Sequence, residues 1–170
     1  FFPGVATLAL TATATPEVVE DIQKQLHFST PNVLSKSFRR ENISYVIQDT
    51  EAKPLELFNI LSKVQGGAIV YVRTRLKASS IAAFLNKSGI KSDFYHAGLS
   101  SAQRARRQEA WKSGKVPVVV ATNAFGMGID KADVRVVVHY DVPDSPEAYF
   151  QEAGRAGRDG KRAYAVLLSS

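Results

Sequence analysis

The chain has 170 residues and contains no cysteine. Disulfide bonds are therefore excluded, and so are zinc and iron–sulfur sites that depend on cysteine ligands. We accordingly predict no metal site within the chain itself.

Long apolar runs are absent as well. No stretch approaches the roughly 20 residues that a helix needs to cross a bilayer, so we expect no membrane contact. The N-terminal stretch FFPGVATLALTATATPE has no basic leader before its short apolar part, which argues against a signal peptide. The same stretch is typical of sequence from the middle of a fold, and we expect the chain to be part of a longer protein.

A phosphate-binding loop of the form G-x-x-x-x-G-K-S/T is also absent. The pairs Gly114-Lys115 and Gly160-Lys161 lack both the earlier glycine and the following hydroxyl residue. There is no Asp-Glu pair that could hold magnesium. The chain therefore lacks the groups that usually hold the β- and γ-phosphates of a nucleotide and their metal ion.

Basic residues outnumber acidic ones, 22 to 16, which gives a net charge of +6 and a pI of about 9.6. A surplus of this size favours an anionic partner, most often nucleic acid. A solvated basic surface without a partner explains the charge equally well. Hydrophobic residues make up 45% of the chain, which is enough for a packed core.

Short apolar runs alternate with segments of helical periodicity along most of the chain. Strands are predicted at residues 6–10, 43–48, 68–72, 91–95, 116–121, 135–139 and 164–168. Helices are predicted to start at Pro16 and Pro146 and to cover residues 53–64, 75–87 and 100–111. This alternation predicts an α/β fold with a mostly parallel sheet and helices on both faces. Polar residues between positions 27 and 37 mark the best candidate linker.

The segment QEAGRAGRDG, residues 151–160, carries the strongest chemical signal. Arg155 and Arg158 are three residues apart, so a continuing helix would point both to one side, beside Gly154 and Gly157. Two guanidinium groups next to a surface without side chains can approach a phosphate closely, as an arginine finger does. A plain helix end, with arginines bonded to carbonyl groups and a glycine cap, explains the same spacing.

Three further segments follow predicted strands, where the ligands of parallel sheets bind. After residue 121, Thr122 and Asn123 can bond phosphate oxygens, and Asp130 can accept from a ribose hydroxyl. The segment YHAGLS, which includes His96, offers the amides of a helix N-terminus to a phosphate. The basic junction at residues 72–75 also suits phosphate contact. Ordinary turn residues, a structural histidine and a solvated junction are the alternative explanations.

Taken in order, these segments resemble the conserved motifs of superfamily 2 helicases. LTATATP resembles motif III, IVYVRTR motif IV, YHAGL the segment after it, VVATNAFGMGIDKADVRVVVHYDVP motif V, and QEAGRAGRDG motif VI. SFRRENISYVI resembles the start of the second domain of RecQ helicases. TATA, AFGMGID and the glutamine ahead of GRAGRDG favour RecQ over DEAD-box RNA helicases.

The resemblance implies a RecA-like three-layer fold and a motor of two such domains, with ATP between them and DNA across their top. Residues 1–33 would end the first domain, and residues 34–170 would form the second. ATP and Mg²⁺ would be held mainly by the first domain, which is the expected partner along with DNA. An intracellular location follows, in the bacterial cytoplasm or nucleoid rather than a nucleus.

The resemblance also assigns roles to single residues. Arg155 and Arg158 would reach the γ-phosphate with Gln151 nearby, and Gly128 and Asp130 would line the nucleotide. The residues implied to bind the DNA backbone are Arg73, Thr74, His96, Gly98, Thr122 and Asn123. Thr11 and Thr13, small hydroxyl residues after a predicted strand, would couple hydrolysis to domain movement.

We therefore expect half of an ATP-dependent DNA helicase that moves 3′ to 5′ on a single strand or fork and is inactive as an ATPase alone. The alternatives are an RNA-acting enzyme of the same superfamily and a non-catalytic nucleic-acid-binding module. A flavodoxin-like small-molecule domain fits the fold pattern, but it leaves the repeated Gly-Arg pairs and the basic charge unexplained.

Overall fold

A computed structural model describes residues 5–11, 14–28, 30, 32–35, 40–126 and 129–170. The chain divides into two compact units, Phe1–Arg39 and Arg40–Ser170. In the described ranges, no helix combines the length and the apolar character needed to cross a membrane. The assignment of residues 1–33 to another domain stays a prediction.

The first unit contains helix α1 (Pro16–Gln25). Its start follows the prediction, because the Thr15 side chain accepts a hydrogen bond from the backbone N–H of Val18 and proline occupies the first turn. The strand predicted at residues 6–10 is wrong, and Leu8 is 80% exposed. A strand satisfies its backbone groups by pairing with a neighbour, and no described strand pairs with this segment.

The second unit alternates strands and helices. Its elements are β1 (Ile43–Asp49), α2 (Lys53–Ser62), β2 (Gly67–Tyr71), α3 (Arg75–Lys87), β3 (Ser92–Tyr95), α4 (Ser101–Lys112), β4 (Val118–Ala121), β5 (Val134–His139), α5 (Pro146–Ala153) and β6 (Ala163–Ser169). The predicted starts and ends agree to within two residues. The capping box predicted at Ser100 and Gln103 is confirmed, with both of its hydrogen bonds present.

Within the described residues, the six strands form one sheet in the order β1-β6-β5-β2-β4-β3, and every pair is parallel. Ile69 in β2 lies opposite Val119 in β4 and Val137 in β5. The central strands carry apolar residues in continuous runs because both faces of the sheet are covered.

The core has two layers, one on each face of the sheet. On one face, side chains of β2 and β4 pack with Trp111 of α4 and Ala153 of α5. On the other face, alternate side chains of the same strands pack with Leu57 of α2 and Leu85 of α3. The predicted three-layer arrangement of helix, sheet and helix is therefore confirmed.

An ion pair joins the start of β5 to the turn after α5. Nη2 of Arg135 donates to both carboxylate oxygens of Asp159 at 2.6 Å, and the Lys161 amide donates to one of them. The hydrogen bond from Arg135 lowers the pKa of Asp159 below its ordinary value. Because the folded pKa is depressed, this carboxylate stabilises the fold above its unfolded pKa. The contribution is lost as the pH falls through the folded pKa.

Asp159→Asn should therefore lower the free energy of unfolding at pH 7, and the difference from wild type should shrink as the pH falls below about 4. Urea unfolding of both proteins at pH 7, 4 and 3 measures this difference in the free energy of unfolding. Asp144→Asn is the control, because Asp144 lies 3.6 Å from Arg73 with both side chains exposed. A difference between Asp159→Asn and wild type that does not change with pH would contradict the assignment.

Candidate functional site

The loops that follow β2, β4 and β5 lie along one edge of the sheet, because these strands are adjacent and parallel. A cleft of about 250 Å³ opens at this edge. Its lining includes Tyr71, Arg73, Asn123, His139, Asp141 and Glu152. Arg73 and Asn123, two of the predicted DNA contacts, are therefore brought to one place.

The turn after α5, residues 154–160, carries Arg155 and Arg158, and we call it the arginine turn. The prediction that both arginines lie on a continuing helix is wrong, since α5 ends at Ala153. The Arg155 and Ala156 amides bond carbonyl groups three residues back, and the Gly157 amide turns away to Val134 O at 2.8 Å. Gly157 and Gly160 have φ of +57° and +78°, which ordinary residues rarely adopt, so the helix cannot continue.

The spacing predicted open space beside Gly157, and this prediction is wrong. A Cβ atom there would come within 2.5 Å of Asn42 Nδ2 and 2.8 Å of Lys161 O. Asn42 donates to the carbonyl oxygens of both Gly157 and Lys161, and Arg40 also donates to Gly157 O at 2.9 Å. Arg40 and Asn42, at the start of the second unit, therefore hold the backbone of the arginine turn in place, and we call this pair the clamp.

Arg155 is half-buried and bonded to the loop after β4. Its Nη1 donates to the carbonyl oxygen of Gly126 at 2.6 Å, and a Cβ atom on Gly126 would meet Nη2 at 2.8 Å. Its Nε is buried and has no hydrogen-bond partner among the described residues. Arg155 thus satisfies a carbonyl group, as the plain helix-end explanation requires, and still has an uncommitted donor.

Arg158 is more open than Arg155. Its Nη1 donates to Asp130 Oδ1 at 2.7 Å, in an ion pair whose side chains are 38% and 78% exposed. Arg158 and Asp130, which were both predicted to contact the nucleotide, are therefore in contact with each other. Gln151 is exposed on α5. Gly128 lies outside the described residues.

Tyr71 at the end of β2 supports the same loop. Its hydroxyl donates to Phe125 O at 2.8 Å, and Phe125 packs edge-on against Tyr95 and Trp111. Burial raises the pKa of the Tyr71 hydroxyl well above its ordinary value, and the positive charge of Arg155 offsets this only in part. The hydroxyl therefore stays protonated and remains a donor.

Thr122 and Asn123 begin the loop after β4, and they differ in exposure. Asn123 is exposed beside the cleft, so its side chain is open to a ligand. Thr122 is only 8% exposed, and its amide and carbonyl group are bonded to Tyr95 O and the Phe125 amide. Of the two, Asn123 is the better placed for a phosphate.

Arg73 and Thr74 already have partners in the fold. Arg73 donates to Asp141 through its amide and to Val142 O through Nε, and it lies 3.6 Å from Asp144. The Thr74 hydroxyl caps α3 by accepting from the Lys77 amide at 3.1 Å. Thr74 therefore has a structural role whether or not it meets DNA.

His96 and Gly98 lie before α4, on the loop after β3. The His96 ring stacks on Phe94 with centroids 5.5 Å apart. A Cβ atom on Gly98 would come within 2.8 Å of Arg75 Nη1, so the missing side chain lets this guanidinium lie over the backbone. The amides of Ser100 and Gln103 are used by the capping box and are not open to a phosphate.

The predicted coupling residues lie in the first unit. Thr11 is exposed in a segment without regular secondary structure. Thr13 lies outside the described residues. The described part of the chain holds no group of three or more histidine, aspartate or glutamate side chains that could bind a metal ion.

Sequence reasoning missed two pairs that shape the candidate site. The first is His139 at the end of β5, which is fully buried and contacts Glu152 of α5 at 2.9 Å. The second is the clamp of Arg40 and Asn42. A histidine directly after the apolar run 136–138 was a signal for the first pair, whereas nothing local pointed to the second.

The sequence model of the helicase conserved C-terminal domain matches residues 52–160, more than half of the chain. The chain belongs to this family. The matched range includes the arginine turn, the loop after β4 and the residues named as lining the cleft, and it leaves out Arg40 and Asn42. The family match therefore covers the candidate site of this helicase domain.

Two curated relatives match almost all of this helicase domain. The ATP-dependent DNA helicase RecQ of Pasteurella multocida is 45% identical over 169 residues, which are 98% of this chain and 27% of that protein. The RecQ-like DNA helicase blm-1 of Caenorhabditis elegans is 41% identical over 173 residues, 99% of this chain and 17% of that protein. The resemblance to RecQ helicases is confirmed, and the chain spans a small part of each relative.

A solved structure confirms the RecA-like fold. Dbp5 of Saccharomyces cerevisiae, bound to RNA and ADP BeF3, aligns with a TM-score of 0.80 over 93% of this chain and 43% of that one. The two are 23% identical, so the likeness concerns the fold alone.

The clamp on Gly157 is testable in this helicase domain. Gly157→Ala should lower the free energy of unfolding by about 1–3 kcal/mol more than Gly160→Ala, because only Gly157 adds a clash to the strain of a positive φ. Gly160 is the matched control, since a Cβ atom there would meet nothing within 4 Å. Denaturant unfolding measures both, and equal losses would argue against the clamp.

Proposed function

We propose that this helicase domain is the second motor domain of an ATP-dependent DNA helicase that moves 3′ to 5′ along a single strand or fork. The contact of the arginine turn with the loop after β4 carries the proposal. It gathers two guanidinium groups against Gly126 and Asp130 of the loop after β4, and guanidinium groups are well suited to bind phosphates. The DNA helicase names of the relatives support DNA rather than RNA.

Arg155 and Arg158 would be the arginine fingers. ATP supplies a γ-phosphoryl group whose negative charge redistributes during transfer to water. Arg155 would be held in place by the hydrogen bond from its Nη1 to Gly126 O. An exposed ion pair such as Arg158–Asp130 contributes about 0.2–1 kcal/mol, so Arg158 can exchange Asp130 for a phosphate at little cost. Gln151, Gly128 and Asp130 would line the nucleotide.

The first RecA-like domain, expected to end within residues 1–33, would hold the β- and γ-phosphates and Mg²⁺. This domain would also supply the strands that residues 6–10 need as partners. The exposed side chains of Leu8 and Leu10 support this proposal, because an apolar segment of this kind is normally buried in a sheet. Thr11 and Thr13 would then couple hydrolysis to movement.

The DNA backbone would be bound along the carboxyl edge of the sheet. Asn123 and Gly98 are exposed there, and Arg73 can exchange the exposed Asp144 for a phosphate. Thr74, His96 and Thr122 would contribute from the same loops. Contact with phosphates holds DNA in register without reading its bases, as a translocating motor requires. The protein would act inside the cell, where its DNA substrate lies.

In the intact protein, Arg158→Ala should lower kcat for ATP hydrolysis by roughly 10³–10⁵, because the charge that stabilises the transition state is removed. ATP binding should change little, since the first domain holds most of the nucleotide. Steady-state kinetics and nucleotide titration measure the two effects.

The matched control for this variant is Arg162→Ala, an exposed arginine four residues further on. It should retain wild-type kcat, because its side chain lies over the Tyr164 ring and away from the arginine turn. Wild-type turnover in Arg158→Ala would reject the finger assignment.

The 170-residue chain alone should hydrolyse no ATP, because it lacks a phosphate-binding loop and an Asp-Glu pair. The purified chain and its Arg155→Ala/Arg158→Ala form should give the same background rate in a phosphate-release assay. Turnover that appears in the wild-type chain and disappears in the double variant would contradict this expectation.

A further inference from the structure

His139 and Glu152 form a polar pair at the buried side of the cleft. His139 is fully buried, and its Nε2 lies 2.9 Å from Oε2 of Glu152, whose side chain is 14% exposed. An ionised carboxylate only accepts hydrogen bonds, so Nε2 of His139 must donate. The other ring nitrogen, Nδ1, is buried without a partner among the described residues.

A pair of this kind is a poor way to stabilise a core. Burying a polar group costs free energy that a hydrogen bond only offsets, and apolar residues of similar volume often stabilise as well or better. His139 also leaves one nitrogen unsatisfied, which adds to the cost. The pair is therefore better explained as a device that fixes the position of α5 against β5 than as a source of stability.

Glu152 fixes the point at which the chain leaves α5. It lies in the last turn of the helix, and its own carbonyl oxygen accepts the backbone N–H of Arg155 at 3.2 Å. The side chain of Glu152 is tied to the sheet while its backbone is tied to Arg155. A shift of Glu152 would consequently carry Arg155 with it.

The His139 ring is itself held in place by two tyrosines. It stacks on Tyr71 with ring centroids 5.5 Å apart. Its centroid lies 4.8 Å from that of the Tyr149 ring, which is tilted against it. Tyr71 donates to Phe125 O, and the next residue, Gly126, accepts from Arg155. These contacts link Glu152 through His139 and Tyr71 to the loop that binds the Arg155 guanidinium. The backbone of Arg155 is bonded directly to Glu152, so the same set of contacts fixes both its backbone and its side chain.

We infer that His139 and Glu152 are a positioning pair that aims Arg155 at the γ-phosphate in the helicase reaction. The inference rests on the proposed finger role of Arg155. In this role Glu152 acts through the arginine turn, and His139 acts through Glu152. The hydrogen bond between His139 and Glu152, rather than the charge of Glu152, carries the effect in this proposal, and Glu152→Gln separates the two.

In the intact helicase, Glu152→Ala should lower kcat for nucleic-acid-stimulated ATP hydrolysis by up to about 10²-fold, as expected for a catalytic group displaced by about 1 Å. KM for ATP should stay within about twofold, because an interaction made in the transition state is lost and ground-state binding is not. Glu152→Gln should restore most of kcat, since its amide oxygen can accept from His139. Glu147→Ala, an exposed glutamate in the first turn of the same helix, should retain wild-type kcat.

Thermal melting of each variant separates positioning from stability. A purely structural role would lower the Tm of Glu152→Ala and leave kcat of the folded enzyme unchanged at 25 °C, which would overturn the inference. Glu152→Gln with the low kcat of Glu152→Ala would also overturn it. If alanine prevents folding, Glu152→Asp replaces it, because its shorter side chain cannot reach His139 in the same geometry. Wild-type kcat in Glu152→Asp would then count against the pair.

Arg155→Ala is assayed beside these variants. If Arg155→Ala collapses turnover while Glu152→Ala leaves it intact, the positioning role fails and the finger assignment stands. If Arg155→Ala leaves turnover intact, the finger assignment fails and the positioning role fails with it.

Discussion

The parallel alignment of the strands is the constraint on which the candidate site depends. Each crossover returns the chain to the opposite end of the sheet, so every strand delivers its carboxyl end to the same edge. Arg73, Asn123 and Asp141 are far apart in sequence, and they meet there because β2, β4 and β5 are neighbours. The helices that make the crossovers bury both faces and keep this edge open.

The arginine turn meets the amino end of β5, at the opposite edge of the sheet, and it is the most constrained part of the candidate site. Asn42 and Arg40 bond the Gly157 carbonyl, Val134 accepts the Gly157 amide, and Arg135 holds Asp159. These contacts fix the backbone of the turn in one conformation, which only glycine adopts readily at position 157. The contacts converge on the two residues that the resemblance to RecQ helicases marks as arginine fingers.

Contacts in the candidate site fall into two physical classes, buried and exposed. Buried contacts, such as Tyr71 with Phe125 and His139 with Glu152, have no competition from water and hold the loops in one geometry. Exposed contacts, such as Arg158 with Asp130 and Arg73 with Asp144, are weak and can be exchanged for phosphate oxygens. The proposed motor role requires a domain that binds and releases anions, and it would use both the fixed frame and the replaceable ion pairs.

Local sequence determined most of the fold. Apolar periodicity located β1 to β6, and Thr15, Ser100 and Ser145 began helices where their hydroxyls reach the amides of the first turn. The ordered motifs also indicated the family and the edge where candidate residues would lie. These features depend on residues close together in the chain, which is why they can be read from it.

Tertiary structure decided the rest. Arg155 and Arg158 leave the helix because the Gly157 amide finds Val134, and residues 6–10 form no strand because they have no neighbour to pair with. His139 met Glu152 only when β5 and α5 packed together. Each outcome depends on a hydrogen-bond partner supplied by a distant segment or lacking altogether, and periodicity along the chain carries no information about such partners.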